Sequence, residues 1–241
     1  MGNWYDIGFE TNAKNIKEQA QRAKDRDLGN DRKRNTPRRF YLKRGTVDTP
    51  VNVIFLDETP FCLYEYNLVI DGKWGNYFTC LRSSTGKDPF AAYKDIIQMN
   101  RSYMGFLTIL DCTHYSDRAG KEHHFTKKLL PMTSKALAKA EGWKKSKKSL
   151  VGCMYEVRRS DADKSERIGD DWQFSERVDL STLKNPDGSS PDLTPANYKD
   201  ILAPRSEEEI KTLLQSIVSG TTIVDLPTAT ATKETEEEVP F

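Results

Sequence analysis

Asp71-Gly72 stands between two β-branched and aromatic runs, residues 61–70 and 73–81. Both turn residues tolerate positive φ, which the tight turns matched to strand twist require, so the dipeptide commits its flanks to an antiparallel hairpin. Residues 51–56 form another such run, bounded by Pro50 and Pro60, which supply breaks. A further hairpin is expected from residues 104–110 through a polar turn at 117–120 into 123–130. Two final strands are expected over residues 152–157 and 172–178. Between them, the segment from Pro89 to Ile97 reads as helical. A second helix is expected from about Ser134, as its N-cap, to Glu141, where Gly142 stops it.

Five or more strands with a helix inserted before the last pair predict a mainly β fold: a five-stranded antiparallel barrel of the oligonucleotide-binding (OB) type with short inserted helices. A β-sandwich satisfies the same pattern. The domain is expected over residues 40–180, after a basic N-terminal arm over 1–39 that contains a marginal helix (11–28) and the Arg32-to-Arg39 run. Residues 181–219 read as a loop and a short helix opened by Ser206-Glu207-Glu208-Glu209, and 220–241 as a flexible acidic tail.

The net charge is only +1, but it is unevenly placed. Lys and Arg dominate between Lys121 and Arg159, and carboxylates dominate after Asp200, so a basic body carries an acidic end. That asymmetry is expected of a nucleic-acid binder. Cys62, Cys80, Cys112 and Cys153 are widely spaced with no C-x-x-C pair, which suits structural thiols in a reducing compartment. No apolar run approaches the roughly 20 residues that span a bilayer, and the start carries no signal pattern, which together predict a soluble cytoplasmic protein without membrane association.

The hairpin over residues 64–83, the preceding Val53-Ile54-Phe55-Leu56, and Gly169-Asp170-Asp171-Trp172 with Phe174 resemble tailed-phage single-stranded-DNA-binding proteins, across roughly residues 39–180. The ending Glu236-Glu237-Glu238-Val239-Pro240-Phe241 resembles the tail of bacterial single-stranded-DNA-binding proteins, with Val239 in place of Ile and Glu in place of the usual Asp. These resemblances imply an OB barrel that coats single strands in the host cytoplasm during phage replication, recombination and repair. They also imply a tail that partner proteins capture. Such a tail is expected to compete weakly for the basic groove until DNA displaces it. Several phage relatives carry a zinc ribbon after this hairpin. Cys80 here has no neighbouring cysteines, so neither metal nor other cofactor is expected.

Sequence-independent strand binding needs aromatic faces for bases and cations for phosphates. Tyr64, Tyr66, Trp74, Tyr77, Tyr103 and Phe125 are the candidate platforms, interleaved with Lys73, Arg82, Arg101, Lys127 and Lys128. Period-two alternation puts Trp74, Asn76, Phe78 and Cys80 on one face and Tyr77 and Thr79 on the other, with Phe78 expected in the core. Lys144-Lys145-Ser146-Lys147-Lys148 extends the positive footprint. The chain is therefore expected to be non-enzymatic, with RNA binding as one alternative. The other is a metal-dependent nuclease built on Asp57, Glu58 or Asp170-Asp171, although no phosphate loop or H-E-x-x-H motif is present. The residues leave the oligomeric state open, a monomer that binds cooperatively included.

Overall fold

In the computed structural model the described residues are 36–42, 49–81, 86–116, 120, 122–161 and 166–220. The chain divides into two units, Met1–Thr36 and Pro37–Phe241, and the elements below all belong to the second. The arm expected before Thr36, Arg82, and the tail residues Glu236 to Phe241 lie outside the described residues.

Asp71 (φ 52°) and Gly72 (φ 73°) both take the left-handed conformation, as a tight turn between twisted strands demands. They join β3 (Phe61–Ile70) to β4 (Lys73–Thr79). Around this hairpin the chain places β1 (Arg38–Arg39), β2 (Val51–Phe55), β5 (Met99–Asp111), β6 (Tyr115–Ser116), β7 (Glu122–His123), β8 (Thr126–Met132), β9 (Cys153–Arg158) and β10 (Asp171–Arg177). Three α-helices follow β8: α1 (Ser134–Lys147), α2 (Tyr198–Ile201) and α3 (Glu207–Ser219). Short 3-10 helices lie at Pro89–Tyr93 and Leu180–Thr182.

The fold is mainly β. One eight-stranded sheet runs β1-β8-β5-β2-β9-β10, with β3 bridging β5 and β4, and β6 and β7 form a separate ribbon. Where five antiparallel strands were expected to close a barrel, the described ladder is open, ending at β1 and β10, and it is mixed, because β1 pairs parallel to β8. Arg38 and Arg39, expected in the arm, are therefore part of the sheet. β2 and β3 follow one another along the same edge of β5. On their other side β2 pairs with β9 and β3 with β4, so the two act as one interrupted strand shared by two ladders.

Residues opposite one another in an antiparallel ladder share a face. One face carries Val53, Phe55, Leu107, Ile109, Leu130 and Tyr155, buried under α1 through Ala136 and Ala140. Helix α1 differs from expectation at both ends. Thr133, not Ser134, is its N-cap, accepting from the Ala136 amide, and the helix runs through Gly142 to Lys147 before Lys148 turns left-handed at φ 66°. The continuation puts Trp143 against Tyr155 (ring centroids 5.0 Å apart) and Trp172 (5.2 Å). Burying an indole there outweighs the roughly 1 kcal/mol that a helical glycine costs.

Residues 181–219, expected as loop and short helix, are packed onto the sheet. Leu202 joins Phe106 and Leu129 on one face. Ile210, Leu213 and Leu214 of α3 cover Tyr66, Leu68 and Phe78 on the other. Helix α3 opens with a capping box, Ser206 and Glu209 each bonding the other's backbone amide, and ends at Gly220. Thr79 Oγ1 donates to the Leu202 carbonyl at 2.8 Å where this segment passes β4.

Tyr198 fastens the segment to the sheet. Its hydroxyl donates to Asp57 Oδ2 and lies 2.6 Å from Thr108 Oγ1, while the Thr108 amide donates to Asp57 Oδ1 at 3.1 Å. Burial pushes the Asp57 carboxyl up, and the bonds from Tyr198 and Thr108 oppose that push. A carboxyl raised in the folded state stabilises fully below its unfolded value of about 3.9, and that contribution is lost as pH rises through the folded value. Tyr198→Phe removes a donor to the charged form. It is expected to cost about 1.5–3 kcal/mol at neutral pH and less under acid, where Asp57 is protonated. Urea unfolding at pH 7 and pH 4 checks this, and an equal loss at both would mean that Asp57 is not the acceptor that matters.

Candidate functional site

On β3 and β5, Tyr64 faces Tyr103 and Tyr66 faces Arg101 across the ladder, so all four share the face that α1 and α3 partly cover. The next pair toward α1 is Cys62 and Gly105. A Cβ on Gly105 would lie 2.5 Å from Leu137 Cδ2, so this helix residue seats directly on the strand. One ladder step beyond that contact the cover ends. Tyr64 and Tyr103 stand 40% and 41% exposed there, their rings 5.1 Å apart and inclined at 60°. The Arg101 guanidinium lies 4.3 Å from the Tyr64 ring centroid. A bond with the Cys62 thiol pushes the Tyr103 phenol up, leaving the ring neutral at physiological pH.

Trp74 is 48% exposed at the hairpin end, beside exposed Lys73. Gly75, at φ 110°, breaks the alternation next to it, and the Gly75 amide donates to the Asn67 side chain at 2.9 Å. At about 3.3 Å per residue, Tyr64 lies roughly 20 Å along β3 from this tip.

The other expected residues are placed differently. Tyr66 is 7% exposed, stacked on Phe90 at 4.5 Å, and its hydroxyl donates to Asp88 at 2.7 Å. Its ring takes no base unless that packing opens. Phe78, expected in the core, is buried. Tyr77 faces the other way: its ring carries the Arg39 guanidinium at 3.8 Å, and its hydroxyl is 3.1 Å from that of Tyr41. Phe125 is half-buried, stacked on His124 at 3.9 Å and packed against the cluster of Ile54, Leu110 and Leu183. Lys127 is ion-paired with Asp192 and bonded to Thr194, which together hold the Asp192 carboxyl down to about 2. Lys128 donates to Asp111 at 2.6 Å. Both lysines are therefore committed within the chain.

The carboxylates of the nuclease alternative are also engaged. Asp57 holds Tyr198, Glu58 accepts from the Leu150 amide at 3.3 Å and pairs with Lys144, and Asp170 holds the Ser160 amide at 2.8 Å. Among the described residues no group of three His, Cys, Asp or Glu is placed to hold a metal, and the four cysteines are free thiols.

Sequence reasoning missed a second exposed aromatic with a cation over it. Phe174 on β10 is 38% exposed, and Lys147 Nζ lies 3.6 Å from its ring centroid. Strand alternation at β9 and β10 gave no signal for it, since Phe174 pairs with the buried Tyr155 and so shares the core-facing side.

Among the described residues no helix is long and apolar enough to cross a membrane. No family model, curated protein or solved structure matches the chain.

Proposed function

We propose that this protein binds single-stranded DNA without regard to sequence and sheathes it during phage DNA replication, recombination and repair. The supporting observation is the exposed Tyr64–Tyr103 pair with Arg101 laid over one ring, on a sheet face partly covered by helices. Bases of any identity stack on such rings, and a planar cation that leaves the ring for a phosphate uncovers a stacking surface as it goes. The reading relates the sheet to the OB architecture, since the interrupted β2–β3 strand serves two ladders much as a barrel strand does. It assigns no catalytic role. The ending Glu236 to Phe241 is read as the segment that replication or recombination proteins capture, with an apolar pocket for the Phe241 ring and a basic residue for its carboxylate.

Fluorescence anisotropy with labelled oligo-dT, a matched duplex and a matched RNA strand, across a salt series, tests the proposal. Single-stranded DNA is expected to bind tightest, with log K falling against log salt at a slope near −3.5 if about five phosphates are neutralised. Duplex binding as tight as oligo-dT would reject the reading, and preference for RNA would replace it with an RNA-binding one.

A further inference from the structure

Helix α1 carries five lysines and a single acid, Glu141, with a sixth lysine, Lys148, as its C-cap, and Lys135, Ala138, Glu141, Gly142, Lys145 and Lys148 are on its exposed side. Glu141 is paired with Lys145 at 2.7 Å, while Lys135 and Lys148 have no ion-pair partner among the described residues. Ala138 and Gly142 keep the surface between the lysines low, so a chain lying along the helix can approach its backbone.

The two ends of this helix abut the two exposed aromatic-cation pairs. Near its N-terminus, Leu137 sits on Gly105, one ladder step from Tyr64 and Tyr103. At its C-terminus, Lys147 lies over Phe174. The C-terminal corner is built: Arg177 of β10 donates to the Lys147, Ser149 and Val151 carbonyls at 3.0, 2.8 and 2.6 Å. A helix C-terminus ordinarily repels an anion through its unpaired carbonyls. Here a guanidinium takes one of those carbonyls, that of Lys147, and Lys144, Lys145 and Lys147 in the last turn with Lys148 at the cap oppose the repulsion.

We propose that the bound strand runs from the Tyr64–Tyr103 pair along the lysine side of α1 to Phe174, so that the helix is a phosphate rail between two base-stacking stations. The inference rests on the strand-binding reading and adds a path and a second station to it. Fourteen residues of helix span about 21 Å, so an oligonucleotide confined to the tyrosines does not reach Phe174.

The test compares oligo-dT of about 3 nucleotides, too short to span the helix even when extended, with about 20, just beyond the span of one OB fold, on the full chain by anisotropy. Phe174→Ala is expected to weaken the longer oligonucleotide on the order of ten-fold, the loss of one stacked base, and to leave the shorter one unchanged. Lys135→Gln with Lys148→Gln, both on the exposed side, are expected to make the salt slope for the longer oligonucleotide shallower by about 1.4. Equal losses at both lengths, or none at the longer, would overturn the path while leaving strand binding in place. An acidic peptide that binds wild type but not Phe174→Ala, with oligo-dT indifferent to the change, would give this face to a protein partner and overturn it too. Wild-type protein that binds oligo-dT of neither length would remove the strand-binding reading itself.

Discussion

Tyr64→Ala combined with Tyr103→Ala is expected to lower oligo-dT affinity by roughly thirty-fold or more, the sum of two stacking contributions of about 1–3 kcal/mol each. Neither ring is a core group. Each is about two-fifths exposed, and their cross-strand contact is worth only about 0.5–1.5 kcal/mol. The double variant should therefore keep its unfolding midpoint nearly unchanged while losing affinity. Tyr66→Phe separates the two effects. It removes the hydroxyl bonded to Asp88 in the covered part of the same face, and is expected to cost about 1 kcal/mol of stability with little change in affinity. Arg101→Gln should flatten the salt slope by about 0.7, one phosphate contact. Unchanged oligo-dT binding by the double tyrosine variant, with the fold intact, would remove these rings from the interface and leave the β3–β5 surface without a role.

The contrast between Tyr64 and Tyr66 also shows how far the sequence could be read. Both lie on β3 two residues apart, and alternation correctly gives them one face. It does not say what covers that face. Phe90 and α3, from residues far along the chain, bury Tyr66, and the cover stops before Tyr64. The hairpin at Asp71-Gly72 was legible because its geometry is local to two residues. The start of α3 was legible for the same reason, because Ser206 and Glu209 cap each other within one turn. The stop at Gly142 failed because Trp143 gains more from Tyr155 and Trp172 than the glycine costs, and both partners lie beyond the helix. The committed lysines failed likewise: nothing near Lys127 announces that Asp192 will hold it. Local chemistry therefore gave the elements and which faces they share, while the pairing of Lys147 with Phe174 depended on two strands and a helix being brought to one corner.

Glu65→Gln is expected to be the most destabilising single change, at about 3–5 kcal/mol, or a fall in Tm of roughly 6–20 °C for a unit of this size. Arg39 and Glu65 meet through two parallel bonds of 2.9 and 2.6 Å, and both side chains are almost wholly buried. The guanidinium is enclosed by Tyr77 at 3.8 Å and Phe106 at 5.0 Å. Burial by itself lowers the affinity of Arg39 for its proton, but the bond and charge of Glu65 reverse this and hold it above the ordinary arginine value. Guanidinium is basic enough by itself to keep its charge when Glu65 is neutralised, and an unpaired buried cation is what the variant must carry. The Arg39 Nε already lacks a partner, so the site has no spare acceptor. Arg39→Met with Glu65→Leu removes both charges together and should recover most of the loss, since apolar replacement of a buried pair is often neutral or stabilising. Urea unfolding of the wild type, both single variants and the double closes the cycle. A double variant no better than Glu65→Gln would show that shape, and not the unpaired charge, sets the cost. The pair also matters to position: Arg39 lies in β1, which pairs with β8, and its guanidinium is held on the sheet face opposite Tyr64. A loss of oligo-dT affinity in Glu65→Gln under conditions where it remains folded would mean that anchoring β1 helps to form the strand-binding surface.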